Sequence, residues 1–347
     1  MEHGRHANVP GAASAVAEEE QHETEAWRGD RTVLVTGASG LVGTHACREL
    51  ARRGWQVRAL VRDRAKAARR LANSRAQLVV GDLRDSAALH SALQGSDAVV
   101  HLAAIAIERA GESYDSVNTD ATLGLLDAMR GTGVERLIYM SQNGASSRSP
   151  HRFLRSKGAA EDRVRESGLA WTIFQPSVIF GPEDEFVNVL ARLVRLSPVI
   201  YPLPGGGKAR FQPVYVEDVA RAIGVVLDRP DTESESFALG GPEALTLRQM
   251  VRRVLVAMET KRLLIGVPVP LIRPLVALAQ RVLPNPPVTT SLLDLLALDN
   301  TISGAPAWPA LGMTPSPFTP HRLAYLKRIT TSDAIRSLLR RTRGKPR

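Results

Sequence analysis

Three glycines at three-residue spacing follow a short apolar run at residues 31 to 43, Arg-Thr-Val-Leu-Val-Thr-Gly-Ala-Ser-Gly-Leu-Val-Gly. No other stretch restricts the fold as much. Val33, Leu34 and Val35 predict a fully buried parallel strand, Thr36 to Gly40 a turn, and Leu41 to Arg53 a helix whose N-terminus faces that turn. Gly37 allows the tight turn, Gly40 lets the backbone approach a pyrophosphate, and Gly43 lets the helix pack close to the strand. Unpaired N–H groups and the positive end of the helix dipole then hold phosphates, which makes Gly37, Ser39, Gly40, Leu41, Val42 and Gly43 candidate dinucleotide contacts. The alternative is a Gly-rich turn with no ligand. A strand before, a helix after and a second strand at the right distance argue against it.

With Thr36 in front, the spacing is Gly-x-x-Gly-x-x-Gly rather than Gly-x-Gly-x-x-Gly. It resembles the short-chain dehydrogenase/reductase superfamily, in its extended or atypical branches. The strand and helix signals beyond it repeat in alternation, which predicts an α/β fold, a Rossmann doubly wound parallel sheet with a smaller C-terminal lobe. The expected organisation is a disordered acidic tail over 1–30 and an NAD(P)-binding core over 31–180. A lid and C-terminal lobe interleaved with the last core strands follow over 181–328, and a basic tail over 329–347.

Composition narrows the class. With 44% hydrophobic and 23% charged residues, the 347-residue chain can bury a full core. Its one cysteine, Cys47, cannot form an intramolecular disulfide, fits a reducing compartment and reads as a small buried side chain. Residues 1–30 show neither the basic start nor the apolar core of a signal peptide, so a cytoplasmic protein is expected, with a peripheral place at the inner face of a membrane as the variant. Removing that segment's two arginines and seven acids from 45 basic and 35 acidic residues leaves 43 against 28, about +15 compared with +10 overall. Nucleotide phosphates, anionic lipid and nucleic acid all suit such a charge. Nucleic acid is set aside because no reading motif or aromatic stacking surface accompanies it.

Cofactor choice falls on the end of the second strand, Gln56 to Val61, followed by Arg62-Asp63. An acid there bonds a ribose 2′-hydroxyl and selects NAD, whereas an arginine pairs with the 2′-phosphate of NADP. Arg62 stands last and Asp63 just outside, so NADP(H) is favoured and NAD(H) remains the alternative. A third strand, Ala76 to Val80, and a fourth, Asp97 to Leu102, end in Asp82-Leu83 and Leu102-Ala103-Ala104. By position these reach the adenine and the middle of the dinucleotide, and the resemblance implies the same contacts. Asp82 can also be read as a turn or capping aspartate, and His101 as a packed strand residue.

Residues 141 to 157 depart from the family. There a tyrosine four residues before a lysine moves a proton while hydride passes to or from nicotinamide, and an upstream hydroxyl holds the substrate oxygen. Here the pair reads Phe153 and Lys157, after a fifth strand, Arg136 to Ser141, that continues Gln142-Asn143. Ser141 matches the first of the family's serine run and Asn143 stands at the working hydroxyl. The resemblance leaves Lys157 a role on the nicotinamide ribose, with a surface lysine as the alternative. Asn118 matches an asparagine near the family's active site, and Gln175-Pro176 matches its turn over the nicotinamide, where arginine is usual at the first position.

Between Pro182 and Gln212 a loop-helix-loop reads as a lid, with Lys208 and Arg210 either meeting an anion or solvated. Leu263 to Leu283 reads first as a lobe helix packed on the core, and alternatively as an interfacial or partner-binding helix; three prolines and two arginines exclude a transmembrane span. Pro287 to Asn300, with Leu311 to Phe318, is similar to the C-terminal lobe of atypical members related to the nucleotide-binding accessory subunit of respiratory complex I. The resemblance therefore implies a protein whose NADP(H) is structural or redox-sensing and which joins a protein complex or a membrane surface. The alternative is a reductase or epimerase acting on a small carbonyl or alcohol, with His151, Tyr201 or Tyr215 handling the proton.

Overall fold

The computed structural model describes residues 31–108 and 111–339; the acidic segment 1–30 and residues 340–347 of the expected basic tail lie outside the described residues. Strand and helix alternate from the start: β1 Thr32–Thr36, α1 Leu41–Arg52, β2 Gln56–Val61, α2 Arg64–Arg70, β3 Gln77–Val80, α3 Ser86–Leu93, β4 Ala98–His101. A π-helical turn, Asp115–Asp120, leads into α4 Ala121–Arg130, then β5 Arg136–Met140, α5 Arg152–Arg165 and β6 Ala170–Pro176. Next come β7 Ile179–Phe180, α6 Val187–Leu196, β8 Ile200–Pro204, β9 Arg210–Phe211, β10 Val214–Tyr215, α7 Val216–Leu227 and β11 Glu235–Leu239. The chain continues through β12 Leu245–Thr246, α8 Leu247–Ala257, β13 Leu263–Val267, α9 Val269–Val282, α10 Thr290–Leu295 and α11 Thr331–Leu339.

Seven parallel strands form the central sheet in the order β11-β6-β5-β4-β1-β2-β3. Chain order reverses between β1 and β4, and ligands of such sheets bind outside the strand ends at that switch. The run Val33-Leu34-Val35 is apolar throughout because both faces are covered. Alternate side chains go to opposite layers. Val33 and Val35 meet Cys47 and Leu50 of α1 and Ile223 of α7, while Leu34 meets Leu93 of α3 and Leu125 of α4. A second apolar centre joins α6 and α8 through Leu190, Val194, Met250, Val254 and Phe318, and constitutes the smaller lobe.

Two C-terminal expectations are corrected. Leu263 to Leu283 is not one packed helix: its first part is β13, paired in parallel with β8, and Pro268 separates it from α9. No residue of α9 is buried. The segment expected as a basic tail is helical over Thr331–Leu339, where Ala334 is buried in α11 against α6. Among the described residues no helix is long and apolar enough to cross a membrane.

Candidate functional site

A cleft of about 320 Å³ opens at the carboxyl ends of β1 to β4 and is lined by Gly37, Ser39, Gly40, Arg62, Asp82, Leu83, Leu102, Ala103 and Ala104. Nine of the residues singled out from sequence are thus brought together. Gly37 has φ +66°, and a Cβ there would stand 2.7 Å from the Ala103 nitrogen and the Leu102 carbonyl carbon. Glycine at this position lets the β1 and β4 loops touch. A Cβ on Gly43 would fall 2.3 Å from the Gly37 oxygen and 2.6 Å from Ala38 Cα, so only glycine allows α1 to start so close to β1. Gly40 is the N-cap of α1 and no side chain caps that end, so the first-turn N–H groups at Leu41, Val42 and Gly43 have no side-chain acceptor there. An anion fits where the cap is missing. Leu41, Val42, Gly43, Pro176 and Lys157 do not line the cleft themselves.

At the far end the cleft carries Arg62, Lys66 and Arg84. Asp63 caps α2, its Oδ1 accepting from the Lys66 N–H at 2.9 Å. Arg62 is 62% exposed and paired with Glu112, which also lines the cleft. Asp82 binds the Arg84 guanidinium at 2.8 and 2.9 Å; that hydrogen bond holds its carboxyl down at about 2. Arg62→Ala is expected to weaken NADPH about 10- to 100-fold and NADH by less than about 3-fold, because a charge-assisted pair to a phosphate contributes about 1.5–3 kcal/mol. Fluorescence titration with each nucleotide checks it; equal losses would remove the phosphate-pairing argument.

The positions that handle protons in the resembling enzymes are tied up or lack a proton. Ser141 donates to the buried Glu161 at 2.7 Å, and Gln175 and Arg165 also donate to Glu161. Asn143 donates to Asn300 Oδ1 at 2.8 Å and to the Thr301 carbonyl at 3.1 Å, stitching the C-terminal lobe to the end of β5. Lys157 is neither the surface lysine nor a cleft residue: it is buried, with Nζ donating to the Met140 carbonyl at 2.6 Å and 4.5 Å above the Tyr139 ring. Asn118 is buried and clamps Ile105 at both its N–H and its carbonyl while donating to Ser156. His101 lies between the Thr36 and Thr122 hydroxyls, and burial lowers its pKa to about 3, which fits a packed neutral ring.

Burial lowers the Lys157 pKa to about 7, against about 10.4 for a free lysine. Between these values the unfolded chain holds a proton that the folded chain lacks, so stability rises with pH through that window and the cost is full below about pH 7. Lys157→Met is therefore expected to raise the Tm of the nucleotide-free protein by several degrees near neutrality, the gain shrinking towards pH 10. Melting curves across that range test the sign.

A second cavity of about 310 Å³ adjoins the first, sharing Ala106, Ile107 and Glu185 with it. Phe153, Leu154, Phe186 and Phe211 line it, together with Leu292, Leu295, Leu296 and Leu298 from α10 and the residues after it. Sequence reasoning misses this wall, since the residues lie far apart in the chain. Just before α6, buried Asp184 accepts from the N–H groups of Phe186 at 2.8 Å and Asn188 at 3.3 Å, fixing the start of that helix, and burial raises its pKa to about 6. Of the alternative proton donors, neither His151, Tyr201 nor Tyr215 lines either cavity.

Residues 37–192 match the NAD(P)H-binding family model. The ceramide reductase of Caulobacter vibrioides is 31% identical over 279 residues, covering 79% of this chain and 87% of that protein. The mitochondrial NADH dehydrogenase [ubiquinone] 1 alpha subcomplex subunit 9 of Arabidopsis thaliana is 32% identical over 228 residues, 62% of this chain and 55% of that one. The chain thus spans little more than half of this longer relative. The dTDP-glucose 4,6-dehydratase DesIV of Streptomyces venezuelae, solved with NAD bound, shares the fold with a TM-score of 0.66 at 24% identity, over 86% of this chain and 96% of that chain. Fold and cleft together define an NAD(P)(H)-binding Rossmann protein. The chain belongs to the short-chain dehydrogenase/reductase superfamily, among its atypical and extended members.

Proposed function

We propose that this chain holds NADP(H) mainly as a structural or redox-sensing ligand and does so as part of a respiratory or other membrane-associated complex. One observation carries the reading: each position that would move a proton is occupied by a group without one, Phe153, or by a group spent on internal bonds, as Ser141 is on Glu161, Asn143 on Asn300 and Lys157 on the Met140 carbonyl. When bound, the dinucleotide supplies hydride chemistry; the surrounding side chains hold it and offer no matched acid. Arg62, exposed on the cleft wall at the end of β2, supports the phosphorylated form. The name of the Arabidopsis relative supports the complex.

The NADPH dissociation rate tests this. Displacement by excess NADH is expected to take minutes or longer, whereas a reductase turning over commonly at about 10 per second must release oxidised cofactor at least that fast. Release within a second would sink the structural role.

A second reading has its own support. The apolar cavity beside Ala106 and Ile107 suits a carbonyl compound with an apolar body, and one relative is named for the reduction of a lipid. In that reading Glu185, shared by both cavities, is the ionisable group nearest their junction.

A further inference from the structure

Helix α9 carries two apolar stripes where a packed helix needs one. At about 100° per residue, Ile272, Val276, Ala279 and Leu283 fall on one side and are half-buried. Leu271, Leu275, Leu278 and Val282 fall on another, within about 60° of each other. They are 71, 68, 58 and 69% exposed. The helix is not free to turn them inward. Arg273 pairs with Asp294 at 2.8 Å and Gln280 accepts from the Thr290 N–H at 2.8 Å, and both hold the opposite side of α9 against α10. Asn285 then bonds the Ser337 and Leu338 carbonyls at the end of α11, which brings the exposed Leu339 to the same end of the stripe.

Charge says what covers this face. Residues 261–339 hold eight Lys and Arg against three Asp and no Glu, and residues 340–347, which lie outside the described residues, add five basic residues and no acid, so the segment 261–347 carries a formal charge of +10. A second copy would set one basic C-terminal segment against another. An anionic surface is complementary, and an exposed leucine stripe on a basic segment, with no helix long and apolar enough to span among the described residues, is the pattern of a helix lying in the headgroup layer.

We propose that α9 docks the protein on an anionic lipid bilayer, with Leu271, Leu275, Leu278 and Val282 inserted and the excess positive charge of the segment 261–347 supplying the attraction to the headgroups. The docking does not depend on whether the bound nucleotide turns over. On the inner side of α9, α10 contributes Leu292 and Leu295 to the apolar cavity, so the docked face lies one helix away from that cavity.

The test is co-sedimentation of the full chain with phosphatidylcholine vesicles, with and without a third of phosphatidylglycerol. Binding is expected with the mixed vesicles, falling about 10-fold when salt is raised to several times the physiological level. The double variant Leu275→Asp with Leu278→Asp is expected to bind them at least about 10-fold more weakly. Because both side chains are exposed, its melting temperature and NADPH affinity should match the parent. Equal binding to neutral vesicles, no binding to either, or an unchanged double variant would overturn the proposal. So would a dimer of the parent that the double variant turns into a monomer, since a second copy would then cover the stripe.

Discussion

Gly40→Val is expected to weaken NADPH binding by at least about 100-fold, a loss of about 2.7 kcal/mol, while moving the melting temperature by only a few degrees. Gly40 has φ −77°, an ordinary value for any residue, and its Cβ would meet only the Gly37 oxygen, at 3.0 Å. The fold can accommodate that. The branched side chain would instead stand in the cleft, over the uncapped start of α1 where a pyrophosphate would sit. Gly43→Val is the contrasting case. Its Cβ would lie 2.3 Å from backbone belonging to the β1 turn, so α1 would have to leave the sheet that Cys47 and Leu50 pack against. Loss of fold and of binding together is expected there, with overpacking of this kind costing about 1–3 kcal/mol or more. Fluorescence titration and thermal melting of the two variants separate the effects. A Gly40→Val protein that bound NADPH normally would show that the cleft is not the pyrophosphate cradle.

Phe153→Tyr is expected to leave NADPH affinity within about 2-fold, since the ring lies in the second cavity and not among the residues lining the first. The same change places a phenol in the lining of the second cavity, which adjoins the first. General acid catalysis contributes about 10²–10⁴-fold, so NADPH oxidation by an apolar aldehyde should rise from background to a measurable rate. It should remain well below that range, because Lys157 stays on the Met140 carbonyl and cannot lower the pKa of the new hydroxyl from there. The ring meets Tyr114 at 5.6 Å between centroids, so the variant keeps its aromatic neighbour and should fold. If the parent already reduced such a compound and the tyrosine abolished it, the phenylalanine would belong to a working site and the structural role of the nucleotide would be wrong.

The strand ends were the most legible part of the site. Gly37 and Arg62 directly follow a parallel strand, and Asp82 and Ala103 come two residues after one, so the sheet alone carries them to one edge. The replacement of tyrosine by Phe153 could also be read without coordinates, because a hydroxyl is present or absent whatever its neighbours. Lys157 was not legible in the same way. Its spacing places it on α5, but whether Nζ reaches the cleft depends on a carbonyl of β5 and on Glu161 nearby. Asn143 likewise turns out to hold Asn300, a partner 157 positions away.

The sequence by itself determined the sheet, its dinucleotide edge and the missing phenol, because strand periodicity, glycine geometry and side-chain chemistry are local properties. It left α9 undecided between a packed helix and an interfacial one, since its two apolar stripes fit either. Tertiary structure decided which stripe is covered: ties through Arg273 and Gln280 hold one side of the helix on α10 and leave the leucine stripe facing out. It also made the apolar cavity, by bringing Phe153, Phe186 and Leu295 together from three distant segments. Burial is a property of neighbours in space, and the chain order does not state which those are.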